Sequence, residues 1–206
     1  GGEPGAEPED GARTGNDKTQ PVEILSIGRA VEKKGYAGLL QALADLPVDL
    51  AWRFSHIGGG PLRDKLMKQA ETLGIASRVT WRGALAQTDV LAALRTADVF
   101  VLASLIAKDG DRDGLPNVLM EAQSQGVACL STAVSAIPEL IEDGVSGILV
   151  PANDAASLTA SLQKLIREPA LRQRLGAAGL ARVRRDFTMT RGIDHLVARF
   201  GADPES

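Results

Sequence analysis

Short apolar runs rich in β-branched residues alternate with amphipathic stretches along most of this chain, and that alternation constrains its fold more than any other feature. The runs fall at 23–27, 52–57, 78–81, 99–103, 128–131 and 147–150. Segments with apolar residues at helical spacing lie between and after them, at 36–46, 62–73, 88–96, 116–125, 137–142 and 155–166. Strands joined by crossover helices pair in parallel, and the crossovers are right-handed. The expected architecture is therefore α/β: a doubly wound, Rossmann-like six-stranded parallel sheet with helices on both faces. Leu171, Leu175, Leu180 and Val183 continue the helical spacing, so 169–185 and 188–200 are expected as C-terminal helices.

A chain of 206 residues is long enough to bury one sizeable core, and its 44% hydrophobic and 24% charged residues are ordinary for a globular protein. Residues 1–20 differ, being Gly, Pro and acid with almost nothing apolar, and are expected to form a flexible acidic linker. The domain is then expected over 21–187, with a C-terminal helix and tail over 188–206. A linker needs something on its far side, so the chain is expected to be part of a longer protein. Of 23 basic and 26 acidic residues, two and five lie in the first twenty, which leaves 21 of each for the rest. That balance supplies no field to attract nucleic acid, so any anion site must be local. No apolar stretch approaches the length of a membrane helix and no signal peptide is evident, so cytoplasmic residence is expected. The one cysteine, Cys129, sits in an apolar run and is expected as a small buried hydrophobe.

In a doubly wound sheet, ligands bind beyond the carboxyl ends of the strands, which is where the informative residues should lie. After the first strand come Gly28, Arg29 and, five residues on, Lys34. An Arg fork and a Lys point charge near a helix start suit phosphate oxygens. After the second strand, Gly58, Gly59 and Gly60 allow close backbone approach to a ligand, and Pro61 can open a helix. The spacing is not that of the dinucleotide fingerprint, and His56 beside it is expected as a packed strand-end residue. After the fourth strand an acidic loop reaches Asp113 and Gly114, Pro116 starts a helix, and Glu121 lies in its second turn. Asp113 and Glu121, eight apart, can both face a ligand laid across the helix start, and carboxylates suit sugar hydroxyls. Asp109, Asp111, Asp113 and Gly114 also fit the opening of a calcium loop. Its twelfth position, however, holds Met120 instead of the bidentate Glu, so no metal site is expected.

The pieces ILSIGRAVEKKG, HIGGGPLRDKL, RVTWRGAL, ADVFVLAS, DGLPNVLMEAQSQG and STAVSAIPELIEDGVSGILVP, in this order, resemble the C-terminal domain of family-4 glycosyltransferases. The likeness spans Glu23 to about Phe187. It implies the two-domain GT-B architecture and transfer of a sugar from a nucleoside-diphosphate sugar to an acceptor hydroxyl with retained configuration, without a metal or other cofactor. By this resemblance Arg29 and Lys34 are catalytic, clamping the donor diphosphate. Glu121 holds the ribose hydroxyls, and Asp113 stands where the family has a Glu that contacts the donor sugar, one methylene longer. Gly28, Gly59 and Gly60 and the groups of Gly114, Leu115, Pro116 and Asn117 line the donor site, and main chain over Arg82, Gly83 and Leu85 meets the nucleobase. The resemblance implies an acceptor-binding N-terminal domain, which is expected to lie outside this sequence. The chain is therefore expected to bind donor without catalysing transfer, with peripheral membrane association left to the absent domain. A nucleotide-sugar 2-epimerase on the same architecture and a non-catalytic nucleotide-sugar sensor remain open as alternatives.

Overall fold

A computed structural model describes residues 12–105 and 117–190, with side chains as far as 186. The chain runs β1 (Val22–Ile27), a 3-10 turn (Glu32–Lys34), α1 (Tyr36–Ala44), β2 (Trp52–Ile57), α2 (Arg63–Thr72), a second 3-10 turn (Ala76–Arg78), β3 (Val79–Gly83), α3 (Gln87–Thr96) and β4 (Val99–Leu102). It continues with α4 (Asn117–Ser124), β5 (Ala128–Thr132), α5 (Ile137–Leu140), β6 (Ile148–Val150), α6 (Ala155–Arg167) and α7 (Pro169–Thr190). The sheet order is β3-β2-β1-β4-β5-β6 and every pairing is parallel. The order reverses between β1 and β4, which makes their carboxyl ends the switch point of the sheet.

Period-two alternation explains why the central strands are apolar throughout. Val22, Ile24, Phe54, Val99, Val101, Ala128 and Leu130 point to one face, where they pack with Leu39, Leu40 and Leu43 of α1, Leu66 of α2 and Leu162 and Leu165 of α6. Leu25, Phe100, Leu102 and Cys129 point to the other, against Leu94 of α3, Leu119 and Ala122 of α4, and Ile137 and Ile141. Every residue of β4 and β5 is buried, as helices on both faces require. Edge strand β3 keeps Thr80 and Arg82 exposed. Cys129 is buried and free, and burial pushes its thiol pKa up.

Two expectations change. Residues 12–20, expected to be flexible, lie against the domain: Ala51 N–H donates to the Gly15 carbonyl at 2.8 Å, and Arg13 pairs with Asp98 at 3.0 Å. Arg172 donates to the Arg13 carbonyl. Backbone hydrogen bonds and an ion pair hold a segment whose side chains offer little apolar surface. The helix break expected near 186 is also absent, because α7 runs unbroken to Thr190. Neither Pro nor Gly lies at that junction to stop it. Residues 191–206 lie outside the described residues. Among the described residues, no helix is long and apolar enough to cross a membrane.

Candidate functional site

Since all six strands are parallel, the turns after β1, β2, β3 and β4 gather along one edge of the sheet, and backbone hydrogen bonds lace three of them together. Gly28 N–H donates to Ile57 O at 3.0 Å, Ala30 N–H to Gly59 O at 2.7 Å, Leu62 N–H to Ala30 O at 3.0 Å, and Gly58 N–H to Gly83 O at 2.9 Å. The approach is close enough to require glycine. Gly58 has φ 138°, and a Cβ there would stand 2.2 Å from the Gly28 carbonyl oxygen. The turn after β1 is joined to the end of β4 in the same way. Leu105 N–H donates to Lys33 O at 2.8 Å, and a Cβ on Gly35, whose φ is 69°, would stand 1.9 Å from Ala103 O.

Gly28 is buried, Arg29 is exposed, and Lys34 is buried with its stem passing 3.7 Å from where a Gly28 Cβ would be. The two cations thus flank one glycine at the switch point. A lysine this little exposed departs from the usual behaviour of surface lysine. Gly60 packs on Ala30, whereas an added Cβ at Gly59 would meet nothing within 4 Å, so Gly59 faces open space. Arg82 is exposed, and Gly83 ends β3 with φ 69°. Leu85 is half-buried and packs against the second core cluster. Asn117 opens α4 half-buried. Asp113, Gly114, Leu115 and Pro116, like the acids at 109 and 111, lie outside the described residues.

Glu121 is only 6% exposed on α4. Its carboxylate accepts a hydrogen bond from the Gln87 side-chain amide. Burial pushes its pKa above the ordinary carboxylate value, and the Gln87 bond pulls the other way. Gln87 is the first residue of α3, two positions past Leu85, and nothing in local sequence marks it, since its partner is 34 residues distant.

A polar and aromatic stack under Gly28 also escapes sequence reading. His56 is fully buried, as expected of a packed strand-end residue, and its Nε2 lies 2.7 Å from the Gly28 carbonyl oxygen, to which it donates. Its ring meets Tyr36 edge-on at 4.6 Å and Trp81 at 5.4 Å. Ser26 donates to the Tyr36 hydroxyl at 3.2 Å. His56 Nδ1 is buried without a hydrogen-bond partner among the described residues. No group of three or more His, Cys, Asp or Glu suited to a metal occurs among the described residues.

The profile of the family described as glycosyl transferases group 1 matches residues 9–182. The amylovoran biosynthesis glycosyltransferase AmsK of Erwinia amylovora is 39% identical over 147 residues, covering 71% of this chain and 36% of that protein. The lipopolysaccharide core biosynthesis glycosyltransferase LpsE of Rhizobium meliloti is 33% identical over 170 residues, covering 82% of this chain and 46% of that protein. The chain therefore spans between a third and a half of the length of these relatives. In fold, it matches the crystal structure of Anabaena HepE in complex with UDP and glucose with a TM-score of 0.74 at 19% identity, over 87% of this chain and 47% of that one. The matched residues take in both cations, the laced turns and Glu121: the chain belongs to the group 1 glycosyl transferases.

Proposed function

We propose that this chain is the donor-binding half of a retaining glycosyltransferase, holding a nucleoside-diphosphate sugar along the carboxyl edge of its sheet. Arg29 and Lys34 flank the diphosphate and offset the negative charge that grows on it as the glycosidic bond to the sugar breaks. Glu121 accepts hydrogen bonds from the ribose hydroxyls, and Asp113 from the sugar. The peptides at Arg82, Gly83 and Leu85 meet the base, while Gly28, Gly59 and the groups of Gly114, Leu115, Pro116 and Asn117 line the phosphates and sugar. In this reading the charge is carried by side-chain cations and backbone amides without a metal. An acceptor domain elsewhere in the protein supplies the hydroxyl, so the chain alone binds donor and transfers nothing.

The observation that carries this reading is the switch point itself. The turn after β1 puts an exposed arginine and a buried lysine around one glycine, beside the strand whose following helix buries Glu121. Relatives named for amylovoran and lipopolysaccharide-core biosynthesis, and a structural neighbour crystallised with UDP and glucose, support a nucleotide-sugar donor and a role in glycan assembly.

Amide hydrogen exchange with UDP, GDP and ADP tests it. The diphosphate that fits slows exchange around Gly28, Arg29 and Glu121 while leaving the amino-edge turns unchanged. Unaltered exchange at all three residues with every diphosphate rejects the site.

A further inference from the structure

We infer that Gln87 is a positioning residue for nucleotide recognition, holding the Glu121 carboxylate in the one orientation that distinguishes a ribose from a deoxyribose. The inference rests on the donor-site reading of Glu121. Among the described residues, the Gln87 side-chain amide makes the only hydrogen bond to that carboxylate. A buried carboxylate must be ionised to accept from two sugar hydroxyls, and desolvation works against ionisation. The amide donates to one oxygen, favours the charged form and fixes the rotamer, which leaves the second oxygen for the ligand.

The placement of Gln87 carries the argument further. It begins α3 immediately after the turn that starts at Gly83, whose carbonyl is tied to Gly58 N–H. Leu85, within the same turn, is anchored in the core cluster that also contains Leu119 and Ala122 of α4. The segment assigned to the base and the acid assigned to the ribose are therefore coupled by one side chain. A shift of the β3–α3 turn moves the carboxylate with it, so base and ribose are recognised as one rigid unit.

Gln87→Met keeps the length of the side chain and removes its donor, and Gln87→Leu serves as a second variant. Binding of UDP, GDP and ADP, each beside its 2′-deoxy counterpart, is measured by calorimetry on the chain, on both variants, on Glu121→Gln and on Gln87→Met/Glu121→Gln. The unsubstituted chain is expected to prefer the ribose form of its diphosphate by about tenfold, the worth of a hydrogen bond to a charged group. Gln87→Met erases most of that preference by weakening the ribose form alone, and the double variant discriminates no less than Glu121→Gln does. A ribose preference that is lost in Glu121→Gln but intact in Gln87→Met and Gln87→Leu overturns the inference and leaves the donor site standing. So does an equal loss for ribose and deoxyribose forms, the mark of a purely structural role. A chain that binds none of the diphosphates overturns the donor-site reading and this inference with it.

Discussion

Burial pulls the pKa of His56 below its ordinary 6.5; the nearby charge of Arg63 adds to the fall, and the bond to the Gly28 carbonyl opposes it. A histidine that stays neutral when folded and protonates readily when unfolded gives stability that is present above the unfolded value and lost as pH falls through 6.5 toward the depressed value. Urea melts of the chain between about pH 7.5 and pH 5 should therefore show falling stability, and His56→Gln, which keeps a donor but does not titrate there, should flatten the profile. Parallel profiles for the two proteins would show that the ring is not held neutral. Glu121 carries the opposite sign. Its raised value means that the folded state binds the proton more tightly, so its contribution is fully present below the ordinary 4.5 and lost as pH rises through the raised value. One residue supports the fold at neutral pH, and the other is kept there at a cost to stability, which the proposed binding role would explain.

At the scale of elements, the joint between α6 and α7 depends on one buried cation. Arg172 donates to the Leu165 carbonyl at 2.8 Å and the Ile166 carbonyl at 2.9 Å, near the end of α6, and to the Arg13 carbonyl beyond. Replacing it with alanine leaves three carbonyls short of a donor and should cost about 3 kcal/mol, read as a lower urea midpoint with an unchanged slope. A loss below about 0.5 kcal/mol, typical of a surface site, would show that the corner holds without it. The strands and most helices of this fold are legible in the sequence because alternation and helical spacing are local signals, and β1, β2 and β4 fall within a residue of their expected ends. Arg172 and Gln87 are not legible. Each looks like one more polar residue on an amphipathic helix: Gln87 meets a partner 34 residues away, and Arg172 ties the end of the preceding helix to a carbonyl 159 residues away. Of the candidate site, Arg29, Lys34 and Glu121 are legible because the strand-end rule and the family pattern point to the same positions. The burial of Lys34 is not, since it depends on the 3-10 turn that folds the ammonium stem back over Gly28.

For the whole molecule, the candidate site grows out of the core and ends in an exposed rim: Ala30 and Leu85 of its turns pack into the apolar clusters, whereas Arg29 is exposed. The two large apolar clusters lie against the faces of the sheet and reach the laced turns at its carboxyl edge through Ala30 and Ile57. A ligand held at that edge by the folded state alone stabilises it by mass action, about 2.7 kcal/mol at a hundred times its dissociation constant. For a domain of this size, that corresponds to a rise of roughly 5–10 °C in the melting midpoint. Arg29 is exposed, so Arg29→Ala should leave the ligand-free midpoint within about 1 °C of the parent, the range of an ordinary surface substitution. In the proposed donor site the same change takes the guanidinium away from the diphosphate and should weaken UDP, GDP or ADP, whichever binds, by more than about tenfold. The rise at a fixed ligand concentration then shrinks by at least about 1.4 kcal/mol when sites are near saturation. Thermal melts of both proteins across a diphosphate titration check this directly. An Arg29→Ala chain stabilised as strongly as its parent would take the arginine out of the site. A lowered ligand-free midpoint would show that Arg29 supports the fold as well as the rim.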